Sequence, residues 1–190
     1  MSDDVPDSRV LRRNHLGTVR SMTSNAWQQA DSVALAAELW RSYRELLGVP
    51  LVVAPAPSTE SYQVADPHAI ELRALADAVY FYDLPVLCHD GASDPRFTYV
   101  NVAAQTLFER PWPGFVGLPS RLSAEPEARA GRAEMLARAA RQGFIDDYQG
   151  VRISSSGRRF RISQTVIWAV TGDTGEAIGQ AALIRRWRFF

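Results

Sequence analysis

A thiol, an imidazole and a carboxylate stand in consecutive positions at Cys88, His89 and Asp90. Nucleophilic catalysis uses residues of these types when the base sits beside the nucleophile. Neighbours in a strand point to opposite faces, so local geometry does not bring Cys88 and His89 together. A lone Cys in an apolar run reads more simply as a small buried side chain. His15, His68 and His89 share no ligand spacing, so no metal site is expected. Of the three, only His89 is placed to be an axial haem ligand. Every one of the 21 basic side chains is Arg. Without Lys there is no Schiff base and no P-loop Lys, which excludes pyridoxal enzymes, Walker ATPases and kinases of the usual kind. The segment Leu118–Pro126 is stiffened by Pro and carries Arg121, whose planar guanidinium suits a bidentate anion clamp. The alternative for Arg121 is an ion pair to Asp146 or Asp147. No nucleophile, base and orienter form a convincing catalytic set.

These residues are positioned by a recognisable series of elements. Residues 1–30 lack apolar periodicity and read as a flexible leader, with Met22 as a second candidate start. Asp31 or Ser32 caps a helix to about Leu47, whose stripe is Val33, Ala36, Ala37, Trp40, Tyr43 and Leu47. A Pro-rich linker follows to residue 65, around the short apolar run Leu51–Val53. Asp66 caps a second helix with Pro67 at its first position, and Ile70, Ala74, Ala78 and Phe81 line one face. Pro85–His89 and Phe97–Val100 are strands joined by turn residues. Asn101 caps the helical run Val102–Glu109. A longer helix is expected from Ser123 to Gly143, with acids near its start and Arg near its end. Three strands close the chain, about Ile145–Ser154, Arg158–Val170 and Ile178–Trp187. In the middle one Phe160, Ile162, Val166 and Trp168 alternate with polar residues, which predicts a single apolar face. The organisation is leader 1–30, N-terminal helices and linker 31–83, and core 84–190. The fold class is α+β, with five antiparallel strands, helices on one face and two preceding helices.

Composition narrows the function. One Cys excludes an internal disulfide, no apolar run spans a membrane, and no apolar signal segment opens the chain. A cytoplasmic protein is expected. Charges balance at 21 basic and 21 acidic, which argues against coating nucleic acid. The balance conceals an asymmetry. Residues 31–149 hold ten Arg against 16 acids, and residues 150–190 hold seven Arg against two acids. The basic segment is either an anion-facing surface or the complement of the chain's own acidic helices.

The stretch Phe97-Thr-Tyr-Val-Asn101-Val-Ala-Ala-Gln-Thr-Leu-Phe108 resembles the opening of a PAS core: strand, Asn, then an Ala- and Leu-rich helix. Leu118-Pro-Ser-Arg-Leu-Ser-Ala-Glu-Pro126 and Gly143-Phe-Ile-Asp-Asp-Tyr-Gln-Gly-Val-Arg-Ile-Ser154 resemble the MEKHLA domain. So do Gly157-Arg-Arg-Phe-Arg-Ile162, Val166-Ile-Trp168 and Gly179-Gln-Ala-Ala182, in the family's order. The resemblance covers about Val33–Phe190. It implies a PAS-like fold and a sensory or regulatory module, akin to stand-alone bacterial members of the family. In plants the domain ends class III homeodomain–leucine zipper factors. This chain shows no homeodomain or zipper, so their transcriptional role does not carry over. The hexapeptide behind the family name needs a Lys, so it cannot occur here. No cofactor is implied. Flavin-binding photosensory PAS domains use a Cys after the Asn-led helix, and Glu109–Ser123 has none.

A PAS pocket is lined from the central strands and the short helices. That implies ligand contacts from Cys88, Trp112, Arg121, Trp168 and Gln180, with Trp112 as a lid or else a surface or core residue, and Asn101 as a structural cap. Small neighbours Gly179, Ala181 and Ala182 either leave room beside Gln180 or admit a packed helix. Arg152, Arg158, Arg159, Arg161, Arg185, Arg186 and Arg188 are expected to stripe the outer sheet face and its edges. The stripe Trp40, Tyr43 and Leu47 would dock on that face within the chain or across a homodimer. The expected function is a sensory module that binds a small molecule or a protein partner without catalysis. An enzyme using His89, Asp90 or Asp146 as acid or base, and a structural dimerisation domain, are the alternatives. A closed cavity beside Trp168 and Gln180 would favour ligand sensing.

Overall fold

The computed structural model describes residues 26–53, 66–124, 138 and 141–190. A 3-10 turn, Ala26–Gln28, leads into α1 (Ala30–Leu47), which ends at Gly48 in the left-handed region, φ 73°. Helix α2 (Pro67–Tyr80) is capped by Asp66, whose side chain accepts from the His68 N–H. Strands β1 (Val86–Asp90) and β2 (Phe97–Val100) follow, then α3 (Val102–Leu107), α4 (Trp112–Phe115) and a 3-10 turn, Ser120–Ser123. The chain closes with β3 (Phe144–Ile153), β4 (Arg159–Thr171) and β5 (Ala177–Phe189).

The five strands form one antiparallel sheet in the order β2-β1-β5-β4-β3. The sheet is covered on both faces. Phe97 and Phe108 pack edge-on against Phe115 of α4, and Phe108 meets Phe160 of β4 at 5.0 Å between ring centroids. On the opposite face α1 is docked through Trp168. Its Nε1 donates to the Ser42 hydroxyl at 3.1 Å, and its ring meets Tyr43 edge-on at 5.0 Å. Helix α2 packs on α1.

Several expectations shift by a residue or a face. The leader boundary at 30 falls too late, because Trp27 is buried, stacked on Tyr80 at 4.2 Å with Arg73 over its ring. An aromatic so placed removes a large apolar area from water, which periodicity over three residues does not reveal. The fully buried residues of α1 are Ala36, Leu39, Ser42 and Tyr43, and Val33, Trp40 and Leu47 of the expected stripe are partly buried against the core. Ser42 is tolerated there because its hydroxyl donates to the Glu38 carbonyl at 2.6 Å while accepting from Trp168. On α2 the buried residues are Ala76, Val79 and Tyr80, and Phe81 is largely exposed. Residues 1–25 and 54–65 lie outside the described residues, as does most of the helix expected after Ser123. Ser123 itself closes a 3-10 turn, its hydroxyl donating to the Ser120 carbonyl.

The largest departure is in β4. Gln164 has φ 50°, the left-handed region that a non-Gly residue seldom occupies. The alternation changes phase there. Ile162, Thr165 and Ile167 face the short helices, whereas Trp168, in register with Ala181, faces α1. The run Thr165–Trp168 is buried without interruption, as a strand covered on both faces must be.

Candidate functional site

Asn101 joins the two layers. Its Oδ1 accepts from the N–H groups of Ala104 and Val86, both at 2.9 Å. Its Nδ2 donates to the carbonyls of Tyr82 at 3.0 Å and Leu84 at 2.9 Å. These four bonds saturate the amide. Asn101 thus starts α3 and ties it to β1, with no capacity left for a ligand.

Between the sheet and the short helices lies a cavity of about 40 Å³. Its walls include Leu87 and His89 of β1, Ile162, Thr165 and Ile167 of β4, and Gln180, Ala182 and Ile184 of β5. Tyr148 and Arg152 of β3 close one side, and Phe97, Phe108 and Ser123 close another. The lining is mostly apolar with a few polar groups, the usual make-up of a small-molecule site. Thr165 has no exposure, and its Oγ1 has no hydrogen-bond partner.

Arg152 is the polar group that the sequence placed wrongly. It does not join the outer stripe but is buried at 6% exposure. Its Nη2 donates to the Tyr148 hydroxyl at 2.6 Å and its Nη1 to the Val151 carbonyl at 2.8 Å. Tyr148 lies opposite Thr165, Gly150 opposite Ile162, and Arg152 opposite Phe160. The signal was present in the sequence: Tyr148, Gly150 and Arg152 recur at period two, the spacing of one strand face.

The residues expected to contact a ligand are dispersed. Gln180 lines the cavity. Cys88 borders it, but stands in register with Ala181 and through it with Trp168, on the α1 side of the sheet. Burial pushes the Cys88 thiol up to about 12, the reverse of what a nucleophile needs. Trp168 is also on that side and is not part of the cavity wall. Trp112 packs edge-on against Tyr99 and beside Tyr80, near Trp27, so it is no lid. Arg121 pairs bidentately with Asp94 at 2.9 and 3.2 Å on the surface, not with Asp146 or Asp147. Asp147 instead accepts from Arg138.

The acid–base candidates are also separated. His89 Nδ1 lies 2.7 Å from the Asp90 carbonyl oxygen. The Asp90 carboxylate accepts from the N–H groups of Ala92 and Arg96 and so shapes the β1–β2 turn. Asp146 is exposed. Among the described residues no cluster of three or more His, Cys, Asp or Glu side chains could hold a metal ion. No helix among them is long and apolar enough to cross a membrane.

Similarities to known proteins agree with this architecture. The PAS domain of a protein from Colwellia psychrerythraea superposes with a TM-score of 0.53 at 15% identity. The match covers 63% of this chain and 96% of that one. An RNA-binding light-oxygen-voltage receptor matches with a TM-score of 0.52 at 17% identity, over 70% of this chain and 36% of its own. At such identities the likeness establishes a PAS-like fold. No curated protein matches the sequence. The model of the MEKHLA domain matches residues 33–189, nearly all of the described structure. The chain belongs to the MEKHLA domain family.

Proposed function

We propose that this chain is a sensory module that binds a small molecule in the cavity between sheet and short helices, without catalysing a reaction. The observation that carries the reading is the hydroxyl of Thr165, a residue of the cavity wall, which is fully buried and unpartnered. Burying a hydroxyl without a partner is unfavourable, and a bound ligand offsets that cost. β4 contributes Thr165 to the cavity and Trp168 to the α1 contact within four residues. Occupancy therefore has a short mechanical route to the N-terminal helices. The enzyme alternative is weaker, because the Cys88 thiol is held protonated and the Asp90 carboxylate is committed to a turn. Native mass spectrometry of the protein purified from its own host tests the proposal. A retained small molecule supports it; a protein of bare chain mass that no small-molecule library stabilises against heat refutes it.

A second surface bears on protein partners. Arg161, Arg186, Arg188, Trp187 and Phe190 line an open groove at the start of β4 and the end of β5. Trp187 and Phe190 are exposed, and these three Arg form no ion pair among the described residues. A two-fold homodimer through this face would set like charges against each other. The surface better suits an acidic partner. Within the chain, Tyr43 of the α1 stripe packs on Trp168 and accepts from Arg185, which supports docking of α1 on its own sheet.

A further inference from the structure

We infer that the ligand is a small organic carboxylate, bound with its charged end against Arg152 and the Thr165 hydroxyl; this rests on the cavity being a ligand site. A buried guanidinium normally has an anionic partner, because an unpaired buried charge is strongly disfavoured. Arg152 has none among the described residues. The ion pairs there involve Arg41, Arg73, Arg121, Arg138 and Arg158. Both acceptors of Arg152 are neutral, the Tyr148 hydroxyl and the Val151 carbonyl. A guanidinium carries five N–H donors in a planar fork, so two bonds leave capacity for a carboxylate.

The surroundings are shaped around this side chain. Gly150 lies between Tyr148 and Arg152 on β3. A Cβ at Gly150 would come within 2.9 Å of the Tyr148 Oη and 3.0 Å of the Arg152 Nη1. A larger residue at Gly150 would have to displace the tips of the Tyr–Arg pair. Tyr148 and Thr165 are directly paired across β3 and β4, which puts the orphan hydroxyl on the same face as the guanidinium. The two groups offer donors of different kinds to one oxyanion. The remaining wall is apolar, with Leu87, Ile167 and Ala182 suited to a short hydrocarbon tail. A cavity of about 40 Å³ holds on the order of three or four heavy atoms, given the ~10–15 Å³ that one water needs. Size and lining together select a short monocarboxylate over a nucleotide, a haem or a flavin.

The test uses the full chain, unfolded and refolded to remove any resident molecule. Thermal melts and calorimetric titrations are run with formate, acetate and propionate, with acetamide and propionamide as neutral isosteres, and with inorganic phosphate, all at matched ionic strength. Saturable stabilisation by a carboxylate, absent with its amide, is the expected result. Thr165→Val should weaken that binding about tenfold, the usual cost of one hydrogen bond to a charged group. Arg152→Gln should abolish it. The comparison of carboxylate with amide needs no variant, so it stands even if Arg152→Gln fails to fold. Equal binding of amide and carboxylate overturns the carboxylate while leaving the cavity as a ligand site. Response to phosphate alone also overturns it. No response to any of these probes, together with a non-carboxylate molecule retained from the host, overturns the carboxylate alone. No response and no retained molecule overturns both readings.

Discussion

Thr165 shows how one atom distinguishes a packed core from a site. Its methyl group fills space as Val would, but its hydroxyl has no partner. In ligand-free protein Thr165→Val should therefore raise stability, by about 1 kcal/mol, in urea unfolding. A loss of stability would mean that the hydroxyl is satisfied in solution. Cys88 offers a second residue-scale check. Its thiol is held near 12 by burial, so at pH 8 it should resist a chromogenic disulfide reagent until denaturant opens the fold. Rapid labelling of the native protein would contradict the burial.

Two junctions between elements are equally specific. Gly179 on β5 faces β1 so closely that a Cβ would lie 2.1 Å from the His89 carbonyl oxygen. The small residue there admits a strand backbone, not a ligand beside Gln180. Gly179→Ala should cost about 1–3 kcal/mol of stability, measured by chemical denaturation. The second junction is Glu109, after α3, which grips the β3–β4 turn. Its carboxylate accepts from the hydroxyls of Ser154 and Ser156 and from Arg158 Nη1, and its backbone carbonyl accepts from Ser155. The hydroxyls of Ser156 and Ser154, then Arg158, hold the carboxyl down to about 2. A depressed carboxyl stabilises the fold above its ordinary value near 4.5, and this is lost as pH falls through about 2. Glu109→Gln should lower the melting temperature at pH 7. The gap from the parent should close between about pH 4.5 and 2 in circular dichroism melts. A gap independent of pH would mean that shape, not charge, makes the clamp.

Across the whole molecule, opposed charge is used within the chain in places and left exposed in others. Arg41 of α1 bonds Asp173 and the Thr171 carbonyl in the β4–β5 turn, and Arg185 donates to Tyr43. Helix α1 is thus fastened to the sheet through Arg41 and Tyr43, on either side of Ser42. The Arg161, Arg186 and Arg188 surface remains open. Size-exclusion chromatography with light scattering should show no dimer that depends on Trp187, so Trp187→Ser should leave the mass unchanged. A dimer that Trp187→Ser dissolves would reinstate self-association through this face.

Element order, sheet composition and family were legible in the chain itself. Turn residues such as Gly157 and Gly175, alternating strands and the Asn101 cap are local signals, and local sterics and hydrogen bonding fix them. Face assignment was not legible where a strand is buried on both sides. β4 reads as one alternating stripe, yet the positive φ at Gln164 sends Thr165 to the cavity and Trp168 to α1. The same limit misplaced Arg152, which looks like one of seven surface arginines until β3 pairs with β4 and turns it inward. The sequence by itself determined the order and type of the elements, because periodicity and turn chemistry are properties of neighbouring residues, and its motif blocks carried the resemblance to the MEKHLA domain. Only the tertiary structure decided which polar groups lose water together, because burial depends on which elements cover each face.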